Sequence, residues 1–255
     1  MFENEFSGKV VLVTGGSRGI GFATVKGFLA AGAKVYFLSH YEETGAKALA
    51  ALKEINPDYE VMTKAIDLCD YKAVQELYKE IDAKWGRLDV LVNNAGIDSS
   101  TWLTKLKQSE WDSVCDLNMK APFTMCKYAI PHLIKTKGCI VNTASVAGVY
   151  GSPTGLPYPV SKAGLITLTK SIAYSFANKG VRCNAVAPGV VATDLVANLP
   201  QFAKDSIGDT IPVKRFAQPE EIANGIMFLA SSAASYITGV CLQIDGGYRP
   251  NNLPA

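Results

Sequence analysis

Histidine is nearly absent: His40 and His132 are the only two in 255 residues, and they stand far apart. With no H-E-x-x-H pair and no His/Cys cluster, a zinc enzyme is not expected and no metal ligand set can be named. The six cysteines, Cys69, Cys115, Cys126, Cys139, Cys183 and Cys241, form no C-x-x-C pair. They read as buried free thiols of a reducing compartment, which points to the cytoplasm. No uninterrupted apolar run is long enough to span a bilayer, so no membrane partner is expected. The opening MFENEFSGKV has acidic residues where a signal peptide has a basic patch followed by an apolar stretch. Blocks of like charge are missing too, and a formal net charge of +2 leaves no electrostatic footprint for nucleic acid.

What the chain does have is apolar residues, 48% against 19% charged, enough to fill a large core. Its length suits one large α/β domain spanning 1–255, and no linker or repeat divides it. KVVLVTG, AKVYFLS, YEVMTKA, LDVLVNN, GCIVNTAS, VRCNAVAP and GVCLQID read as seven strands. Helical patterns such as GFATVKGFLAAG, ETGAKALAALKEI and YKAVQELYKEIDAKWG lie between them. Continuous apolar strands alternating with amphipathic helices predict an α/β fold, a doubly wound parallel sheet of about seven strands with helices on both faces. The segment at about 194–214, with Pro200 and Pro212, is longer than an ordinary connection. It reads either as a lid over a substrate or as a solvated loop with a short helix.

The first strand runs into TGGSRGIG, with glycines at Gly15, Gly19 and Gly21. The spacing G-x-x-x-G-x-G departs from G-x-G-x-x-G, but the mechanism carries over. Glycines allow a tight turn and a close approach of backbone to a pyrophosphate, whose charge meets a helix N-terminus in a Rossmann-like fold. No G-K-[ST] follows, which rules out a nucleoside triphosphatase loop. At the end of the second strand stand Ser39, His40 and Tyr41, neither the acid that binds a ribose 2′-hydroxyl nor a clear base for a 2′-phosphate. With Arg18 in the turn the balance favours NADP(H), while Glu42 and Glu43 pull the other way.

Tyr158 and Lys162 are four residues apart, one helical turn, directly after a Gly- and Pro-rich run. Alone, such a pair is an ordinary surface contact; near other polar strand ends it becomes a phenol with an ammonium beside it, which would move its pKa towards neutrality. VNNAG closes the fourth strand and TAS the fifth, and Ser145 precedes Tyr158 by 13 positions. Ser145 lacks the G-x-S-x-G setting of a nucleophile and suits the orientation of a carbonyl oxygen.

Together TGGSRGIG, DLCD, NNAG, the Asn of DLNMKAPF, Ser145, Y-x-x-x-K and APGVVATD resemble the short-chain dehydrogenase/reductase superfamily in its classical form. The resemblance implies an NAD(P)(H)-dependent oxidoreductase interconverting a secondary alcohol and a ketone. It implies Tyr158 as acid and base, Lys162 lowering its pKa and holding the nicotinamide ribose, Ser145 on the substrate oxygen, and Asn118 holding a water in a proton relay. For the cofactor it implies Gly15, Ser17, Arg18, Gly19, Ile20, Gly21, Ser39, His40, Asp67, Leu68, Asn94, Ala95, Gly96, Thr143, Pro188, Gly189, Val191 and Thr193, with Tyr158 and Lys162. Asp67 as a turn acid and Thr193 as a helix cap remain open alternatives.

NTASVAGVYGSPTGLPYPVSKAG, VAPGVVATD and DGGYRP are similar to bacterial bile-acid 3α-hydroxysteroid dehydrogenases of the superfamily, and much of this is shared with 3-oxoacyl-carrier-protein reductases. The first implies a small apolar ketone or alcohol, bounded by Val149, Tyr150, Pro153, Leu156, Leu195, Val196, Leu199 and Phe202. The second would use Lys105, Lys107 and Lys135 for an acidic carrier. A non-catalytic dinucleotide-binding scaffold is the remote alternative. The superfamily also implies a homotetramer built on the helices before the fifth and sixth strands, where Leu165, Leu168 and Ile172 are either interface or core.

Overall fold

A computed structural model describes residues 2–99, 101–152, 155–193 and 200–248. The seven apolar runs become β1 (Val10–Thr14), β2 (Lys34–Ser39), β3 (Val61–Ala65), β4 (Val90–Asn93), β5 (Cys139–Thr143), β6 (Arg182–Pro188) and β7 (Cys241–Ile244). They form one sheet in the order β3-β2-β1-β4-β5-β6-β7. Every neighbouring pair is parallel.

Burial on both faces explains why the strands are apolar throughout. Val11, Val13, Val35, Phe37, Val90, Val92 and Val141 point to one core, under α1 (Gly19–Ala30), α2 (Glu42–Ile55) and α9 (Pro219–Ala230). The alternate residues Val10, Leu12, Tyr36, Leu38, Leu91 and Ile140 point to the other, under α3 (Tyr71–Trp85), α5 (Ala121–Thr136) and α7 (Pro157–Phe176). A two-residue side-chain period against two helical layers produces this division. On α7, Leu165 and Ile172 are buried within the chain, and Leu168, partly buried, packs on the second core.

The chain reverses its direction of travel across the sheet between β1 and β4, which opens a crevice at the carboxyl ends of the strands. Two features lie there. A short helix α6 (Val146–Tyr150) separates β5 from the helix bearing Tyr158. The long segment after β6 contains α8 (Gln201–Thr210), after which Ile211 is buried and the Val213 amide donates to the Gly246 carbonyl at 3.3 Å. Its far end is thus fastened to the β7 edge. Phe202 on α8 is exposed, while Leu195, Val196, Leu199 and Pro153 lie outside the described residues. Among the described residues no helix is long and apolar enough to cross a membrane.

A polar ladder crosses the core just beneath the crevice. Asn93 of β4 and Asn142 of β5 are register partners, and Asn93 Nδ2 donates to Asn142 Oδ1 at 2.8 Å. Asn142 Nδ2 donates to Thr169 Oγ1 at 2.8 Å, and that hydroxyl donates to the Leu165 carbonyl. Buried amides without partners are costly, so the ladder fixes α7 against the sheet. Asn142→Ala should destabilise the protein by about 1–3 kcal/mol, read from urea denaturation midpoints. An unchanged midpoint would show that the ladder contributes nothing.

Candidate active site

At one end of the crevice the glycine turn has the shape of a phosphate cradle. Gly21 is confined by the Gly15 carbonyl and by Asn94 Nδ2, 2.6 Å from where a Cβ would stand. Gly19 has φ +53°, and a Cβ there would lie 3.1 Å from Thr193 Cγ2, so the loop after β6 reaches the turn. No side chain caps the N-terminus of α1 among the described residues, and its first turn holds no acid. Uncommitted amides and a helix dipole suit a pyrophosphate. Thr143 Oγ1, buried at the end of β5, also has no hydrogen-bond partner among the described residues. These features fit a dinucleotide.

Several residues expected to touch that cofactor are otherwise engaged. Ser39 is buried and its hydroxyl donates to the Tyr41 carbonyl at 2.9 Å, so it has no donor left for a 2′-phosphate. Asn94 Nδ2 donates to the Thr14 and Gly15 carbonyls, which makes its amide a brace of the turn. The Leu68 and Val191 side chains are buried in the two cores, leaving their backbones to meet a ligand. Asp67 Oδ1 accepts the Cys69 amide at 2.9 Å, which bends the chain after β3. Arg18 and His40 are exposed, and His40 meets the Tyr41 ring edge-on with centroids 4.5 Å apart.

At the other end the expected chemical residues converge. Pro157 and Pro159 begin α7 where amides have no helical partner, and place Tyr158 in its first turn. Lys162, 3% exposed, donates from Nζ to the Thr143 carbonyl at 2.8 Å and lies 5.6 Å from the Tyr158 ring centroid. Burial pushes this lysine down to about 8, with Asp98 holding it up. Ser145 caps α6 by accepting the Ala147 amide at 3.1 Å, and its hydroxyl also hydrogen-bonds Tyr158. Burial raises the Tyr158 phenol above its usual value, Ser145 lowers it and Asp98 raises it. Desolvation is the largest influence on the phenol, and it favours the protonated form.

Asn118 lies in a π-helical turn, Asp116–Lys120, between α4 (Gln108–Cys115) and α5. Its amide is bound on three sides: Oδ1 accepts from the Ile97 amide at 2.9 Å, and Nδ2 donates to the Ile97 carbonyl at 2.8 Å and to Ser161 Oγ at 3.1 Å. Ser161 in turn donates to the Tyr158 carbonyl at 2.7 Å. Asn118 thus fastens the loop after β4 to the first turn of α7. A Cβ on Gly96 would lie 3.0 Å from Asn118 Oδ1 and 3.3 Å from Lys162 Nζ, which brings the NNAG turn to the same point.

Sequence reasoning passed over Ser161, Asp98, Glu110 and Gly155. Glu110 bonds the Ser99 hydroxyl and Thr101, and the Gly155 amide donates to the Thr101 carbonyl at 3.2 Å. Adjacency to NNAG or to the Y-x-x-x-K pair was the only signal for Asp98, Gly155 and Ser161, and Glu110 had none.

A helix-covered parallel sheet with a glycine phosphate turn and a Ser–Tyr–Lys group at its switch point defines a dinucleotide-dependent oxidoreductase. The family described as enoyl-(acyl carrier protein) reductase matches residues 15–249. A 3α-hydroxysteroid dehydrogenase of Mediterraneibacter gnavus is 43% identical over 243 residues, 94% of this chain and 97% of its own. A 3-oxoacyl-[acyl-carrier-protein] reductase FabG of Thermotoga maritima is 40% identical over 241 residues, 94% and 97% of the two chains. The crystal structure of levodione reductase superposes with a TM-score of 0.90 at 32% identity, covering 95% of this chain and 98% of that one. The chain belongs to the short-chain dehydrogenase/reductase family, oxidoreductases of alcohol and ketone groups that bind NAD(P)(H).

Gly155 has φ +62°, and a Cβ there would collide with the Ser99 carbonyl. Gly155→Ala should lower both the melting temperature and kcat, since the turn that starts α7 would have to shift. Normal values of both would mean that the loop after β4 does not position Tyr158.

Proposed function

We propose that the protein interconverts a hydroxyl and a ketone on a hydroxysteroid, a bile acid at its 3-position, using NADP(H) in preference to NAD(H). The reaction rests on one observation above all, the half-buried phenol of Tyr158 between the Ser145 hydroxyl and the buried Lys162. The Gly15–Gly21 turn and the strand ends would hold a nicotinamide cofactor, which when bound would supply or accept the hydride. Ser145 holds the substrate oxygen, and Tyr158 gives it a proton as the ketone is reduced and removes one in the reverse direction. A phenol kept protonated suits the first of these roles. Lys162 orients the ribose and replenishes the proton, while Asn118 holds the relay in register through Ile97 and Ser161.

The steroid assignment is supported by the 43% identical dehydrogenase and by exposed apolar side chains beside the crevice, Trp102 and Leu103 after β4 and Phe202 on α8. Leu156 lines a cavity of about 240 Å³ with Ala147, Gly151 and Val160. Reduction of a 3-oxoacyl thioester is the second reading, favoured by the 40% identical reductase and by exposed Lys105 and Lys107 after β4.

Two variants test this reading. Tyr158→Phe should abolish most turnover in an assay of steroid ketones, bile acids and acetoacetyl thioesters with both cofactors, and wild-type activity should survive exhaustive chelation. Full activity of that variant would exclude the phenol as the proton donor, and turnover of thioesters without any steroid would select the second reading.

For the cofactor, Arg18→Ala should weaken NADPH binding by about 1–3 kcal/mol, the range for a charge-assisted hydrogen bond, and leave NADH binding nearly unchanged. Equal losses for both, measured by fluorescence titration, would make Arg18 structural only.

A further inference from the structure

The crevice contains a carboxylate that the reaction does not require. Asp98 follows the NNAG turn, two residues beyond Gly96, and is exposed where Lys162 is buried; partial burial raises its carboxyl, while the Ser99 amide and Lys162 hold it down. Its Oδ1 accepts the Ser99 amide at 2.6 Å and lies 3.6 Å from where a Cβ on Gly155 would stand, three residues before Tyr158. Ser99 is buried and bonded to Glu110, and Thr101 holds the Gly155 amide, so the backbone beside this carboxylate is held in place. Its field reaches both Tyr158 and Lys162, and among the described residues no other acid acts on the two together.

We propose that Asp98 is a specificity-determining residue that disfavours carbonyl compounds bearing a carboxylate within one or two carbons of the reacting carbonyl and admits uncharged ketones. The proposal rests on the reading that Tyr158 and Lys162 mark the reacting carbonyl. An entering anion meets the exposed carboxylate first. The Lys162 ammonium acts on Asp98 as well, but it is buried and donates to the Thr143 carbonyl, so an entering anion meets the carboxylate before it. Selection of this kind uses repulsion of the wrong ligand rather than added attraction for the right one.

The test uses acetoacetate and methyl acetoacetate, nearly matched in shape and differing in charge, at pH 8 with the whole protein. Each is measured as a substrate, and as an inhibitor of whichever uncharged ketone the enzyme reduces. The wild type should prefer the ester over the acid, and Asp98→Asn or the smaller Asp98→Ser should shrink that preference by about three- to tenfold, as expected for one charge at such range. In the unmodified protein, raising the salt concentration should shrink it in the same direction. A preference unmoved by either variant and by salt, or exclusion of ester and acid alike, overturns the proposal. Failure of the underlying reading would appear separately, as full activity in Tyr158→Phe.

Discussion

The ammonium of Lys162 sits 3% exposed in the interior, and its hydrogen bond to the Thr143 carbonyl joins α7 to the last residue of β5. A buried charge must be matched by an acceptor or lose its proton, and here the acceptor is the end of a central strand. The Asn93–Asn142–Thr169 ladder holds the same helix one layer deeper. Gly148 of α6 leaves no space for a side chain, a Cβ there falling 2.7 Å from the Lys162 carbonyl carbon. Sheet, short helix and long helix therefore meet at one lysine, and the phenol one turn away inherits its place from that junction.

The fold was largely readable in the chain because its determinants are local and repeated. Runs such as KVVLVTG and LDVLVNN announce strands buried on both sides, and the helices between them fix a parallel sheet. The chemical residues were readable for a different reason, since Ser145, Tyr158 and Lys162 fall at strand ends or helix starts that parallel topology must bring together. Less readable was what a side chain does once it arrives. Ser39 stands at the right strand end yet spends its hydroxyl on the Tyr41 carbonyl, a choice made by the turn into α2. Leu68 follows the expected acid yet fills the core, because the apolar face of α3 needs it there. Glu110 and Ser99 meet through space across a loop, with no periodicity or motif to mark them.

For the phenol, burial outweighs the influence of its bonded and charged neighbours. Four-residue spacing places an ammonium near the ring, and Coulomb attraction alone would favour phenolate. The ammonium faces the Thr143 carbonyl instead, and removal of the ring from water works against the ion. Proximity along a helix thus states who the neighbours are, whereas the enclosure of the pair decides which protonation state is favoured.

The π-helical turn at Asp116–Lys120 extends this to chain length. The Ala121 amide reaches back five residues to the Asp116 carbonyl, one more than a regular helix allows. A chain one residue shorter at this point could close an unbroken rod from α4 through α5. The wide turn takes up the extra residue, so α4 and α5 would keep their faces on that rod, and the deletion would remove only the bulge that carries Asn118 to the Ile97 backbone. In this segment the number of residues is as much a part of the site as their identity.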